Sequence, residues 1–259
     1  MDRQINKVSV IIPTLNEEKS LPRLLTCLKE QTFRDFEIIV SDAGSTDDTV
    51  NIAKQDGITV TKGGLPSVGR NAGAEETDVD FLFFLDADVE IPATFLANAY
   101  REMTDDLYDL ATCRFIFQST LLLDRVIFWL INFVIGAGRK VNPQSFGSCI
   151  LVTRKLFERI GGFDETVILA EDCDFVKRAS RYRPLEILKS TYFIMSARRI
   201  VKEGRLRFLV KGLHIFFYRL FHGEIRSDVI EYEFANFDKE KAKTVETPKE
   251  SVNKTNTDG

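Results

Sequence analysis

The chain has few of the residues that build disulfide frameworks or zinc sites. Its 259 residues include four cysteines and two histidines, and no two cysteines form a CxxC pair. Neither a disulfide scaffold nor a zinc centre is therefore indicated. The first apolar run is short and ends at Pro13, which is not typical of a signal peptide. These features predict a cytoplasmic protein.

The sequence also lacks an excess of positive charge and a long hydrophobic run. Lys and Arg number 35 against 39 Asp and Glu, so the net charge of -4 offers no general attraction to nucleic acid. We expect no nucleic-acid partner. No segment resembles a 20-residue apolar span, whereas the 44% hydrophobic content suffices for a sizeable core. A small peptide scaffold is thus excluded.

Short apolar, β-branched runs alternate with helix-like segments in the first part of the chain. Strands are predicted over residues 8–12, 37–41, 58–61 and 81–86, with helices over 17–30 and 46–55. A further strand is predicted at FGSCILV, followed by a helix that ends at Gly161 and Gly162. This alternation indicates an α/β fold with a mostly parallel sheet flanked by helices, whose ligands bind at the carboxyl ends of the strands.

Polar residues follow the first two predicted strands. Pro13 and Thr14 bend the chain after one strand, and Asp42 follows the next, where its carboxylate can accept hydrogen bonds from a base or ribose. Asp42 is equally typical of a turn before Gly44. Both interpretations stay open at this point.

Asp86 and Asp88 follow the apolar run FLFFL. Residues two apart in a strand point the same way, so this pair suits a hard divalent cation that also binds diphosphate oxygens. Acidic turns before a proline are common, but the position after a buried strand favours the metal interpretation.

The run AEDCDF carries three acidic side chains. Mutual repulsion raises the pKa of one carboxylate in such a cluster, so Asp172 is a candidate general base, with Glu171 or Asp174 positioning it. Alternatively, these acids only favour the first turn of a helix through its dipole.

Seven motifs in order, over roughly residues 7–200, resemble those of the family-two glycosyltransferases with the GT-A (Rossmann-like) fold. They are PTLNEE, SDAGSTDDT, GRNAGA, FLDADVE, FGS, GGFDE and the Glu171-Asp172 pair. The resemblance implies transfer of a sugar from a nucleotide-diphosphate donor, normally with inversion. The glutamine and tryptophan motif of processive members is absent, which favours addition of a single sugar.

The resemblance also implies roles for individual residues. Asp42 would contact the nucleobase, and Asp86 and Asp88 would serve the ribose and a Mn²⁺ or Mg²⁺ ion. Asp172 would be the catalytic base, beside Glu171. Further donor contacts are implied for Pro13, Thr14, Leu15, Glu17, Arg70 and Ala87, and an acceptor region for Gly147 and Ser148.

Arg198 and Arg199 follow this region. Guanidinium groups bind phosphate oxygens in a bidentate manner, so the two arginines are candidate diphosphate ligands. Relatives in the resembling family often carry a loop at this place that closes over the diphosphate. The alternative is a basic helix start that faces solvent or lipid headgroups.

Two segments indicate a membrane surface. Residues 121–135 are apolar except for Asp124, Arg125 and Asn132, and residues 205–222 form a basic amphipathic pattern. Packing of both helices as ordinary core is the alternative. We expect a catalytic domain over residues 1–200, a helical, membrane-associated appendage over 201–238 and a disordered tail over 239–259.

The sequence thus predicts a metal-dependent, inverting transferase for a UDP- or GDP-sugar, peripheral on the inner face of the cell membrane. Its acceptor would be a glycan, lipid-linked (for example to polyprenol) or otherwise membrane-associated. The alternatives are a retaining transferase with a small soluble acceptor, a sugar nucleotidyltransferase, and a catalytically silent membrane-binding protein. Sugar nucleotidyltransferases usually carry a glycine-rich basic loop after the first strand. This chain has PTLNEE at that position, which argues against the nucleotidyltransferase alternative.

Overall fold

Alternating strands and helices build the first half of the protein. The computed structural model describes residues 7–117, 119, 121–139, 142–145, 147–195 and 204–226. The first strands are β1 (Val8–Thr14), β2 (Phe36–Asp42), β3 (Thr59–Lys62) and β4 (Phe81–Leu85), connected by helices α1 (Leu21–Lys29), α2 (Thr49–Gln55) and α3 (Pro66–Glu75). All three pairings among these strands are parallel, as the sequence predicts.

The second half adds antiparallel pairings to the same sheet. Its elements are β5 (Val89–Glu90), α4 (Phe95–Asp105), β6 (Leu110–Phe117), α5 (Leu122–Gly138), β7 (Cys149–Thr153), α6 (Arg154–Arg159), α7 (Glu171–Ala179), β8 (Glu186–Met195) and α8 (Arg205–His222). The described sheet has the order β3-β2-β1-β4-β7-β6-β8-β5. β7 runs antiparallel to β4 and β6, whereas β6 and β8 are parallel. The protein is therefore a mixed α/β fold, in which the pairings among β1 to β4 are all parallel and the remaining pairings are mixed.

Apolar side chains of β1 cover both faces of the sheet. Val10 and Ile12 belong to one buried cluster, and Ile11 belongs to the cluster on the opposite face. The near-continuous apolar run thus reflects burial on both sides. Helix α3 packs closely on this strand because Gly73 has no side chain, and an added Cβ would collide with Ile11. This contact fixes the position of Arg70, three residues earlier on α3.

The helix predicted over residues 17–30 begins only at Leu21. The preceding residues form a loop in which Asn16 has a φ of 54°. The backbone N–H of Glu17 donates to Thr49 Oγ1 instead of entering a helix. The start of α1 therefore differs from the prediction because of a hydrogen bond between residues far apart in the sequence, which the local sequence does not reveal.

Helix α5 exposes apolar side chains, and polar groups accompany the apolar Phe128 on its inward side. Asp124 is buried, and the Asn132 amide bonds both the N–H and the C=O of Phe115 on β6, at 3.2 and 3.0 Å. Trp129 is 66% exposed and Phe133 59% exposed. Its exposed large apolar side chains are Leu122, Val126, Trp129, Leu130, Phe133 and Val134. A surface helix in water has the opposite arrangement.

Helix α8 also exposes apolar side chains and buries a charged one. Arg219 is buried, at 9% exposure, while six large apolar side chains are exposed. They are Val210, Leu213, Phe216, Phe217, Leu220 and Phe221. No helix within the described ranges has both the length and the apolar character needed to cross a bilayer. The predicted pair Arg198 and Arg199, the boundary at residue 200 and the tail over 239–259 lie outside the described residues.

Candidate active site

The loops after β1 and β2 are joined by hydrogen bonds into one edge of the sheet. The backbone N–H of Asn16 donates to Ser45 Oγ at 2.8 Å, and its side-chain oxygen accepts from Thr46 N at 2.8 Å. Pro13 lies at this edge of the sheet. Gly69 of α3 packs against Pro13 and against Ser41. The predicted donor-binding segments PTLNEE and SDAGSTDDT are thus adjacent in the fold.

The carboxylate of Asp42 organises this edge. Its Oδ2 accepts from the backbone N–H groups of Gly44 and Ser45, at 2.9 and 2.8 Å. Its Oδ1 accepts from the hydroxyls of Thr14 and Ser45, at 3.1 and 2.5 Å. A carboxylate offers about four acceptor positions, and the protein itself uses four here. These contacts match the turn interpretation of Asp42, and a contact with a nucleobase would have to replace one of them.

Asp86, Ala87 and Asp88 lie in the turn between β4 and β5. β4 ends at Leu85, so the strand geometry that would align the two carboxylates does not apply. The turn is set by backbone bonds, from Asp86 N to Ser148 O at 3.2 Å and from Val89 N to Asp86 O at 3.4 Å. Ala87 is buried, whereas both aspartates are partly exposed. The first bond also brings Ser148, predicted in the acceptor region, to the aspartate turn.

Arg70 connects three parts of the candidate site. Its guanidinium donates to Glu171 Oε1 at 2.5 Å, to Asp86 Oδ1 at 3.0 Å and to the carbonyl of Gly147 at 3.2 Å. The side chain is only 3% exposed. Burial lowers the pKa of Arg70, but the charges of Glu171 and Asp86 outweigh burial and raise it above its ordinary value. Arg70 is therefore a permanent buried cation, placed among the acids and not in an open pocket.

Helix α7 delivers the predicted catalytic pair. Ala170, just before the helix, has a left-handed backbone with φ of 60°, after which Glu171 and Asp172 occupy the first turn. A Cβ added at Gly147 would lie 3.1 Å from Asp172 Cβ and 3.2 Å from Arg70 Nη2. Because Gly147 lacks a side chain, Asp172 and Arg70 approach the backbone of Gly147 closely.

The environment of Asp172 favours its protonated form. Its side chain is partly exposed, although protein surrounds most of it. Burial raises the pKa of Asp172 to about 7, and the negative charge of Glu171 acts in the same direction. The positive charges of Arg70 and Arg219 oppose this rise. A carboxylate with a pKa near neutrality is well suited to accept a proton from a hydroxyl group.

The carboxylates of Asp86 and Asp88 would need further oxygen ligands to hold a divalent cation. No cluster of three or more His, Cys, Asp or Glu side chains poised to hold a metal is found in the part of the chain described here. Mg²⁺ is commonly held by one or two carboxylates plus substrate phosphates, and Mn²⁺ prefers similar oxygen donors. Two carboxylates in one turn meet that requirement only together with a bound diphosphate.

Asn71 is a site residue that the sequence reasoning missed. Its amide nitrogen donates to the carbonyl of Phe163 at 2.9 Å, and its oxygen accepts from the N–H of Phe163 at 2.8 Å. The Phe163 ring in turn lies 5.3 Å from the Arg70 guanidinium carbon. Asn71 therefore fixes the GGFDE loop that leads into α7. The only indication of this role in the sequence was that Asn71 follows Arg70 in the motif GRNAGA.

The fold and this site define the class of protein. The family model described as Glycosyl transferase family 2 matches residues 9–161, more than half of the chain. The protein belongs to this family, which confirms the resemblance carried by the seven motifs.

Curated relatives match part of the chain. A 4,4'-diaponeurosporenoate glycosyltransferase from Staphylococcus haemolyticus is 43% identical over 32% of this chain and 24% of its own length. A GalNAc(5)-diNAcBac-PP-undecaprenol beta-1,3-glucosyltransferase from Campylobacter jejuni is 35% identical over 38% of this chain and 35% of its own length. The matched segments thus span about a quarter to a third of these relatives.

Solved structures show the same fold over most of the chain. S. aureus TarS in complex with UDP superimposes with a TM-score of 0.61 at 21% identity, covering 79% of this chain and 65% of that one. A Pyrobaculum calidifontis mannosyltransferase in complex with GDP-Man and Mn²⁺ gives 0.59 at 21% identity, covering 80% and 64%. The GT-A fold class is therefore confirmed.

Proposed function

We propose that the protein is a metal-dependent, inverting glycosyltransferase that moves one sugar from a UDP- or GDP-sugar to an acceptor hydroxyl. The observation that carries the proposal is the Asp172 carboxylate, whose pKa is about 7, beside Gly147 and Arg70. Family membership supplies the reaction class, and the TarS and mannosyltransferase complexes contain UDP and GDP-Man.

Asp172 acts as the general base in this proposal. Its ionised form accepts the proton of the acceptor hydroxyl while the hydroxyl oxygen attacks the anomeric carbon of the donor. Glu171 does not compete for that proton, because its Oε1 is bound to Arg70 at 2.5 Å. One base is sufficient for a single displacement, which inverts the anomeric configuration.

Arg70 positions the groups around this reaction. It links Asp86, next to the donor diphosphate, with Glu171 and with the carbonyl of Gly147. Donor and acceptor sides are therefore held at a fixed distance before either substrate binds, which lowers the entropic cost of alignment.

Asp86 and Asp88 would hold Mn²⁺ or Mg²⁺ together with the diphosphate oxygens. When bound, the cation supplies neutralisation of the negative charge that develops on the departing diphosphate. The Mn²⁺ in the mannosyltransferase complex supports this assignment.

The apolar faces of α5 and α8 support contact with a membrane surface. Each exposes aromatic side chains, such as Trp129 and Phe221, and exposed Arg125 and Arg207 lie on the same helices. Aromatic and aliphatic side chains gain about 1.5–3 kcal/mol each on full burial, and a basic residue near an anionic surface about 1 kcal/mol. We therefore assign these two faces to an anionic bilayer at the inner face of the cell membrane.

The acceptor in this proposal is a lipid-linked or membrane-associated glycan. A bilayer contact through α5 and α8 would bring the site close to such an acceptor. The Campylobacter jejuni relative is named for an undecaprenol-linked substrate, which supports this acceptor class.

Incubation with a panel of UDP-, GDP- and dTDP-sugars and Mn²⁺ tests the reaction. The expected result is release of nucleoside diphosphate from one donor, with transfer to a polyprenol-linked glycan and an inverted anomeric product. A retained configuration would favour the retaining alternative. Formation of nucleoside triphosphate and sugar 1-phosphate when pyrophosphate is added would favour a nucleotidyltransferase. Absence of any turnover would favour a silent binding protein.

Vesicle flotation tests the membrane contact. The wild type should float with anionic vesicles, whereas the pairs Trp129→Glu with Phe133→Glu and Phe216→Glu with Phe217→Glu should not. Leu107→Glu is the matched control, since Leu107 is 85% exposed but lies on neither helix. A wild type that stays in the dense fraction would refute the membrane assignment.

A further inference from the structure

Arg219 stands apart from the other side chains of α8. It lies in the last turn of a helix whose neighbouring Leu220 and Phe221 are 58% and 75% exposed, yet Arg219 itself is buried. A buried guanidinium costs free energy unless it is paired and hydrogen-bonded. The hydrogen-bond and ion-pair partners of Arg219 therefore indicate its role.

The partners of Arg219 belong to two other parts of the protein. Arg219 Nη1 donates to Gln144 Oε1 at 3.0 Å, in the loop that leads to the acceptor region. Arg219 Nε donates to Glu224 Oε2 at 2.7 Å, and the other oxygen of Glu224 accepts from Lys177 Nζ on α7 at 3.1 Å. Arg219 is thus bound both to the acceptor-side loop and, through Glu224, to the catalytic helix.

Two further contacts complete this connection. The thiol of Cys173, next to Asp172, donates to the carbonyl of Ser145 at 3.4 Å. The backbone N–H of Ile168, before α7, donates to the carbonyl of Ile225 at 2.9 Å. Loop 142–145, the start of α7 and the end of α8 are therefore connected by contacts that include those of Arg219.

We propose that Arg219 is a positioning residue for glycosyl transfer, which holds loop 142–145 against the first turn of α7 so that the acceptor hydroxyl meets Asp172. This inference rests on the proposed function, in which Asp172 is the base. It also assigns α8 a second role, because a helix that contacts the bilayer then directly orders the acceptor side of the site.

The charge of Arg219 provides a readout that a purely structural role would lack. The groups that act on the Asp172 carboxylate are Glu171 beside it on α7, Arg70 from α3 and Arg219 from α8. A positive charge stabilises the ionised carboxylate, so its removal raises the pKa of Asp172. The acidic limb of the pH–rate profile should then move to higher pH.

Arg219→Gln, Arg219→Lys and the control Arg226→Gln test the proposal. Arg226 follows α8 closely but is exposed and pairs with Asp164 at 2.9 Å, away from Gln144. We expect Arg219→Gln to raise the acceptor KM and lower kcat/KM by about 10- to 100-fold, as small misplacements of reacting groups do. The donor KM should stay within about twofold, and the acidic limb should shift upward.

Arg219→Lys retains the positive charge but cannot make both hydrogen bonds of the guanidinium, to Gln144 and to Glu224. It should keep the wild-type pH limb while still weakening acceptor binding, and Arg226→Gln should match the wild type in every measurement. An Arg219→Gln enzyme with unchanged acceptor KM and pH profile would overturn the inference.

Thermal unfolding and donor binding separate folding from positioning. If Arg219→Gln unfolds at the assay temperature, Gln144→Ala should reproduce the rise in acceptor KM. This variant removes the contact between the loop and Arg219, together with the bond from Gln144 to Asn142, but leaves the Arg219–Glu224 pair in place. A Gln144→Ala enzyme with wild-type acceptor KM would then count against the proposal. Failure of the proposed function itself looks different, because the wild type would transfer no sugar or Asp172→Asn would remain active.

Discussion

Arg70→Met should destabilise the protein far more than the loss of an ordinary surface charge. Methionine fills a similar volume, but it leaves Glu171, which is 8% exposed, without its counter-charge. It also removes donors from Asp86 and from the Gly147 carbonyl. Breaking one partner of a buried ion pair costs about 3–5 kcal/mol. That is a large fraction of the 5–15 kcal/mol that typically stabilises a domain.

The expected change in melting temperature follows from this magnitude. One kcal/mol shifts Tm by about 2–4 °C in domains of 150–250 residues, so Arg70→Met should lower Tm by about 6–20 °C. Arg183→Gln is the control, because Arg183 pairs with Asp109 at 2.6 Å but its side chain is 58% exposed. An exposed pair contributes about 0–1 kcal/mol, so the control should shift Tm by at most a few degrees.

A double-mutant cycle identifies the cause of the loss. In the Arg70→Met background, Glu171→Gln removes the uncompensated buried charge and should restore part of the lost stability, whereas in the wild type it should be destabilising. Urea unfolding followed by far-UV circular dichroism gives all four free energies of unfolding. A cost below about 1 kcal/mol for Arg70→Met would refute the view that Arg70 holds the acid cluster together.

Three further outcomes are expected at the site. Wild-type kcat/KM should fall about tenfold per pH unit below an apparent pKa of about 7, because burial raises the pKa of Asp172 and only its ionised form accepts a proton; a profile flat from pH 5 to 8 would exclude Asp172 as the base. Gly147→Ala should lower turnover about tenfold and leave donor binding intact, since the new Cβ would lie 3.1 Å from Asp172 Cβ; normal turnover would show that this approach is not needed. Asp88→Ala should abolish Mn²⁺ binding measured by calorimetry in the presence of UDP, whereas Asp78→Ala, at an exposed position, should not. Unchanged Mn²⁺ binding in Asp88→Ala would show that Asp88 does not hold the metal.

The strands of the parallel half could be predicted because their signal is local. β1, β2, β3 and β4 are short β-branched or aromatic runs, and each predicted strand overlaps the observed one. The position of Asp42 at a strand end followed from the same pattern. Three of the four donors to its carboxylate, from Gly44 and Ser45, belong to the local turn, whereas the pattern could not show the fourth, because Thr14 lies 28 residues away.

The organisation of the acid cluster was not predictable from local sequence. Arg70 and Glu171 are 101 residues apart, and Arg219 and Gln144 are 75 apart. The apolar stripe of α8 was visible at helical spacing, but nothing in that spacing marked Arg219 as buried. Contacts of this kind depend on the fold as a whole, whereas candidate base and metal carboxylates could be found from their motifs.

The central claim is that Asp172 is the base of a sugar transfer. Asp172→Asn preserves the shape of the side chain but cannot accept the proton. With the donor found in the nucleotide-sugar panel, the variant should bind that donor with Mn²⁺ within about threefold of the wild type in calorimetry. Its kcat should fall by at least about 100-fold, the lower end of the usual range for loss of a general base. Undiminished kcat in Asp172→Asn, measured with the same protein that shows donor binding, would contradict the account.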